Sequence, residues 1–447
     1  MTQPDLLARS LAAVWHPCTQ MKRHEMLPLV PITRGEGVWL HGQDGERYLD
    51  AVSSWWVNLF GHGAPRIRQA IKDQLDTLEH VMLAGFTHEP VVRLSERLAA
   101  LSGLGHAFYG SDGASATEIA LKMAAHYWKN RGHAGKHRYV YLEGSYHGET
   151  VGALAVTDVP VFRSAYAELI GQHFCAPSPD ARRAANGESA EQVALRAAAA
   201  LETLLASHHG EIAAFILEPL VQGASGMVMY HPCYLAEARR LCSQYQVLLI
   251  ADEIAVGFGR TGSMFAYQQA GITPDLLCLS KGITGGFLPL AAVLCSDDIY
   301  AAFYHDDVSR GFLHSHSYTG NPLACAAANA VLDQFEADDV LTSNRDKAQR
   351  WHALFMPLAQ HPQVQHFRRC GMIWAFEVQD AGNGFALRLF QAALARGILL
   401  RPIGNTVYFM PPYVLGDNEA NFLSEQTLAA LNAALATEAE PVDVPLA

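Results

Sequence analysis

The run from Val247 to Lys281 constrains the fold more than any other part of the chain. It holds two short apolar segments, 247–251 and 276–280, which end in Asp252 and Lys281. Continuous apolar runs of this length, bounded by turn residues, predict strands buried on both faces of a parallel sheet. Open sheets of that kind bind ligands beyond the carboxyl ends of their strands. The segment therefore delivers a carboxylate and an amine to one crevice. The pair suits a capped strand end followed by a loop, and it equally suits a cofactor that needs both groups.

Pyridoxal phosphate is such a cofactor. A lysine amine forms its Schiff base, and a carboxylate beside the pyridine nitrogen keeps the ring protonated and electron-poor. Asp252 and Lys281 are the candidates for these roles. The same stretch spells GxGxxG at 257–262, the pattern of dinucleotide sites and of nicotinamide oxidoreductases. A working fingerprint directly follows a strand and opens a helix. Here 253–256 intervene and 261–264 starts a helix poorly, so a glycine-rich turn lining the crevice is expected.

The other parts of the chain supply complementary groups. Ser111-Asp112-Gly113-Ala114 precedes a helical pattern, which places backbone N–H groups and a positive dipole end where a phosphate binds. Simple capping by Ser111 or Asp112 fits the same residues. Strand 139–142 leads into Glu143-Gly144-Ser145-Tyr146-His147, so Tyr146 offers an aromatic face over the strand end. Trp55 and Trp56 cannot both face one side of an extended strand, which leaves one free to line a crevice. His314-Ser315-His316-Ser317 precedes an alanine-rich helix, with Ser317 placed to bind phosphate. Arg401, in the first member of the strand-like pair 399–402 and 407–410, offers a guanidinium to an acidic substrate group. An ordinary surface arginine fits that position as well.

Strands and helices alternate from about 105 to 295, which predicts an α/β fold with a mainly parallel sheet. Residues 65–325 are read as the large domain. Residues 326–447 form a smaller α+β domain to which the N-terminal segment 1–64 contributes. A chain of 447 residues accommodates this division.

Composition excludes several functions. The formal net charge of −12 opposes nucleic acid and anionic membranes as partners. No apolar run approaches the roughly 18 residues of a membrane span. The start lacks the apolar core of a signal peptide. Eight scattered cysteines without CxxC fit a reduced cytoplasm. No HExxH or Cys/His spacing announces a metal, and no GxSxG supplies a hydrolase nucleophile.

The segments ADEIAVGFGRTG and PDLLCLSKGITGG resemble the class III (omega-amino) aminotransferases, and the resemblance runs along nearly the whole chain. It implies fold-type I, pyridoxal phosphate, small-molecule substrates and a homodimer. WHPCTQM, VSSWW and RPIGNTVYFMPPY are similar to the branch of that class acting in biotin synthesis. That branch converts 8-amino-7-oxononanoate to 7,8-diaminononanoate, usually with S-adenosylmethionine as amino donor. The resemblance makes Lys281 the Schiff-base lysine, Asp252 the pyridinium partner and Tyr146 the ring-stacking residue that also meets substrate. It makes Gly113 and Ala114 the phosphate turn, although Ser often stands where Ala114 does. It assigns His316 and Ser317 to a phosphate contact across the dimer. Trp55 and Ser315 become substrate contacts, and Arg401 the partner of a substrate carboxylate. Cys18 stands where some members have tyrosine in the substrate pocket. That departure keeps lysine open as the donor, and a general omega-amine:pyruvate aminotransferase is the other alternative.

Overall fold

The computed structural model describes residues 5–27 and 29–437. Its centre is a seven-stranded sheet. In chain order the strands are β1 (His106–Gly110), β2 (Arg138–Leu142), β3 (Phe174–Ala176), β4 (Ile212–Leu217), β5 (Leu248–Asp252), β6 (Leu276–Leu279) and β7 (Ala291–Cys295). Their spatial order is β1-β7-β6-β5-β4-β2-β3. Every neighbouring pair is parallel except the two made by β7. The mainly parallel sheet read from the sequence is present.

The apolar runs explain the sheet's centre. All residues of β4, β5, β6 and β7 are buried. Such strands need cover on both faces. The helix Gly113–Asn130 buries Ala116, Ile119, Ala120, Met123, Ala124 and Tyr127 at helical spacing and covers one face. The helix Ala190–His208 opens with a Ser189/Gln192 capping box and buries Val193, Ala197, Leu201 and Leu205 on the other side. Because β2, β4, β5 and β6 run the same way, the residues after them emerge along one edge. The register sets Asp252 beside Cys278 and Ala251 beside Leu217, so Glu218 follows on the strand next to Asp252.

Smaller sheets flank this core. Strands Ile32–Glu36, Trp39–Gly42 and Arg47–Asp50 form an antiparallel set that Ile398–Leu399 extends in parallel. Strands Val364–Cys370, Ile373–Val378 and Thr406–Phe409 form another antiparallel sheet. The strand-like pair around Arg401 is thus corrected. Its two halves join different sheets: Ile398–Leu399 pairs with Leu49–Asp50, and Thr406–Phe409 with Trp374–Glu377. The alanine-rich helix follows the His314–Ser317 segment, as the sequence reading expects. It starts at Pro322, capped by the Asn321 side chain. After 257–262 comes only the short 3-10 turn Ala266–Ala270, so the GxGxxG pattern opens no α-helix.

Candidate active site

The strand ends gather an acid, an amine and two further ionisable side chains. Asp252 closes β5, where its Oδ1 accepts the N–H of Ile254 at 3.0 Å. Its Oδ2 lies 2.6 Å from Nδ1 of His147, itself buried. Glu218 follows β4 and accepts the N–H groups of Tyr146 at 3.1 Å and Gly223 at 2.9 Å. Lys281 follows β6 with a positive φ of 47°. Its Nζ sits 4.4 Å from the centre of the Trp56 ring.

Burial and charge compete at these groups. Burial lowers the Lys281 amine to about 8, against the opposing pull of the Asp252 and Glu218 carboxylates. Burial raises Glu218 to about 7, although His147 and two backbone N–H groups favour its charged form. Tyr146 is raised by burial and then by Glu149, so its hydroxyl stays protonated and donates to Glu149 Oε1 at 2.8 Å.

Further contacts link Cys18, Glu149, Trp55 and Arg401. Cys18 Sγ points at the same Glu149 Oε1, 3.8 Å away. Burial and Glu149 raise its thiol, with Arg401 acting in the opposite direction. The Arg401 guanidinium stacks 4.7 Å from the centre of the Trp55 ring. One tight turn therefore gives adjacent tryptophans separate tasks. Trp56 is 6% exposed and bonds Tyr408 OH through its Nε1 at 3.1 Å, whereas Trp55 is 41% exposed.

That turn is left-handed. Ser53, Ser54, Trp55 and Trp56 have φ of 53°, 45°, 73° and 72°. None is glycine, and the conformation costs roughly 1–2 kcal/mol per residue. Such strain persists only where surrounding contacts fix it.

The turn that opens the helix Gly113–Asn130 is tied to this group. Asp112 Oδ1 accepts the Ser115 N–H at 2.8 Å, so Asp112 is the cap of Gly113–Asn130. Gly113 and Ala114 are in the first turn, where N–H groups have no acceptor within the helix. A side chain on Gly113 would approach Ile254 to 2.9 Å, which locks the turn against the Asp252 loop. His316 Nδ1 lies 3.0 Å from Ser111 Oγ, and its Nε2 lies 2.9 Å from His314. Ser315 and Ser317 are exposed on the same loop.

The structure thus brings Asp252, Lys281 and Tyr146 together, and Cys18, Trp55 and Arg401 beside them. Gly113 and Ala114 adjoin the carboxylate loop, and His316 adjoins Ser111. Three further residues were not singled out as site residues. Glu218 and His147 each follow a buried strand, a signal that would have found them. Glu149 carries no such signal three residues beyond Tyr146.

These groups fit pyridoxal phosphate. A desolvated amine faces two carboxylates, one of them fixed by a buried histidine, and a helix start with open N–H groups stands alongside. No group of three or more metal-ligating side chains occurs among the described residues. The profile of the family Aminotransferase class-III matches residues 19–431.

The chain belongs to the class-III aminotransferases.

Curated and solved members of this class are similar along almost the full length. Adenosylmethionine-8-amino-7-oxononanoate aminotransferase of Helicobacter pylori is 45% identical over 425 residues, covering 93% of this chain and 95% of that one. The crystal structure of the enzyme of that name from Methanocaldococcus jannaschii superposes with a TM-score of 0.88 at 34% identity, covering 96% and 98% of the two chains. An amine transaminase from an uncultivated Pseudomonas species, in its PLP-bound form, gives 0.88 at 32% identity over 95% and 98%. The fold is therefore that of fold-type I aminotransferases.

Proposed function

We propose that this class-III aminotransferase binds pyridoxal phosphate and moves an amino group from S-adenosylmethionine to 8-amino-7-oxononanoate, giving 7,8-diaminononanoate for biotin synthesis. The observation that carries the reading is the Lys281–Asp252–His147 group, within a chain 45% identical to an adenosylmethionine-8-amino-7-oxononanoate aminotransferase. The amine of the donor is exchanged for the ketone of the acceptor, so no outside oxidant or reductant is needed.

Each residue has a task in this reading. Gly113 and Ala114 hold the phosphate with their N–H groups. Asp252, oriented by His147, keeps the pyridine nitrogen protonated. The bound cofactor supplies an electron sink for the bonds at the reacting carbon. Lys281 Nζ takes the proton from the donor carbon and returns one to the acceptor carbon, a task its lowered pKa suits. Tyr146 covers the cofactor ring and, with Cys18 and Glu149, borders the donor. Arg401 receives the acceptor's carboxylate, and Trp55 supports it from the side.

The assembly is a homodimer in which His316, Ser317 and Ser315 serve the neighbouring subunit's site. The exposed position of both serines in a single chain supports this. The pairing of Ile398–Leu399 with Leu49–Asp50 supports reading 1–64 and 326–447 as one small domain beside 65–325. The place of action is the cytoplasm, a reading supported by cysteines that are all free.

The test is a single-turnover half-reaction. Purified holoenzyme is mixed separately with S-adenosylmethionine and with lysine, and the visible absorbance of the bound cofactor is followed. Loss with S-adenosylmethionine supports the proposed donor. Loss with lysine alone reassigns the donor, and no response to either overturns the reading in favour of a general omega-amine enzyme.

A further inference from the structure

The left-handed turn at Ser53–Trp56 needs an external hold, and the structure identifies it. Within the turn, Trp56 N–H donates to Val52 O at 2.8 Å and Val57 N–H to Ser53 O at 3.0 Å. These bonds close the turn but do not fix where it points. Asp50 does. Its Oδ1 accepts the Ser54 N–H at 2.9 Å and its Oδ2 accepts the Ser54 hydroxyl at 2.7 Å. His62 Nε2 lies 3.0 Å from the same Oδ2. Asp50 is fully buried, so the carboxylate has its position dictated by these partners and by its strand.

The strand matters as much as the carboxylate. Asp50 pairs with Leu399 in parallel register. Two residues beyond Leu399 stands Arg401, and five beyond Asp50 stands Trp55. One short ladder therefore anchors both halves of the Trp55–Arg401 stack. The strand fixes the arginine side, while Asp50 and Ser54 fix the tryptophan side. Ser53 adds a tie to the small-domain sheet through its hydroxyl, 2.7 Å from Met410 O.

We propose that Asp50, by gripping Ser54, is a positioning residue for carboxylate recognition: it holds the left-handed turn that presents Trp55 to Arg401. This rests on the reading above, in which Arg401 receives the acceptor's carboxylate. Without the grip, the turn relaxes toward ordinary backbone angles. Trp55 then leaves the guanidinium, which loses its preset orientation. Asp50 itself touches neither substrate nor cofactor in this scheme.

The test compares 8-amino-7-oxononanoate with its methyl ester in the holoenzyme and in two variants. Ser54→Ala removes only the hydroxyl bond from an exposed side chain. Asp50→Asn keeps one acceptor and loses the other. Wild type is expected to prefer the acid. In Asp50→Asn the acid-over-ester ratio of kcat/KM should fall about tenfold, mainly through the KM of the acid, and Ser54→Ala should show a smaller fall in the same sense. The bound cofactor's visible absorbance should be unchanged in both. An unchanged ratio, with the two substrates slowed equally, overturns the proposal and leaves Asp50 a structural support only. If Asp50→Asn does not fold, Ser54→Ala decides alone by the same ratio. A wild-type enzyme that turns over the ester as well as the acid overturns the role of Arg401 itself, an outcome distinct from the others.

Discussion

Lys281 holds its Nζ 4.4 Å from the centre of the Trp56 ring. An aromatic face there excludes water without offering a counter-charge of full strength, so the amine is desolvated and still reachable. Its partner carboxylates, Asp252 and Glu218, pull the other way and do not restore the ordinary lysine value.

The first prediction concerns that amine. Burial disfavours the charged form, so the amine of the cofactor-free protein titrates at about 8. Below that pH it is protonated and cannot form a bond to an aldehyde; above it the pair is free. The rate at which cofactor-free protein takes up pyridoxal phosphate should rise with pH and level off above about 8. Stopped-flow absorbance measures it, and a rate flat from pH 6 to 9 would contradict the assignment. Lys281→Ala should lower turnover by more than ~10³-fold.

Asp252 carries the second prediction. Asp252→Asn keeps the size and removes the charge that, in the proposed mechanism, holds the pyridine nitrogen protonated. The kcat should fall on the order of 10²-fold or more, the range seen when one preorganised electrostatic group is removed. Steady-state kinetics with cofactor occupancy checked by absorbance decides it. Near-normal turnover at full occupancy would remove Asp252 from the mechanism.

Arg401 gives the third. Its loss in Arg401→Ala deprives a carboxylate of a charge-assisted partner, worth about 1.5–3 kcal/mol. The KM for the keto acid should rise roughly 10- to 150-fold, while kcat at saturation changes little. Equal losses in kcat and kcat/KM would instead mean that Arg401 acts in the chemical step.

Much of this architecture was legible in the sequence because its signals are local. β4, β5 and β6 are apolar throughout and flanked by turns, so both their burial and their chemical ends could be read. Asp112 as a cap is equally local. The turn at 53–56 was hidden for the opposite reason. Positive φ is normally announced by glycine or asparagine, and Ser-Ser-Trp-Trp has neither. Its cause is a carboxylate, Asp50, and a distant carbonyl, Met410 O. The strand pairing near Arg401 was misread because partner choice depends on Leu49 and Asp50, some 350 residues away.

The fourth prediction concerns Cys18. Its thiol lies 3.8 Å from Glu149 Oε1, which also accepts from Tyr146 OH at 2.8 Å. Burial and the neighbouring carboxylate raise the thiol above its ordinary value, so at neutral pH it is a protonated donor and a poor nucleophile. In the proposed function its contribution is then to the shape and polarity of the donor's surroundings. Cys18→Ser retains a small donor to the Glu149 carboxylate and should leave kcat within about fivefold, the equivalent of about 1 kcal/mol. Cys18→Tyr fills the pocket with a ring and a stronger hydroxyl, and should change the KM for S-adenosylmethionine far more than the KM for the keto acid. Kinetics with each substrate varied at saturating partner separates the two. Loss of kcat in Cys18→Ser, with KM unchanged, would place the sulfur in the chemistry and refute this reading. Alkylation by iodoacetamide supplies an independent check: labelling of Cys18 should be slower at neutral pH than that of an ordinary exposed thiol and should accelerate toward alkaline pH, as a raised thiol requires.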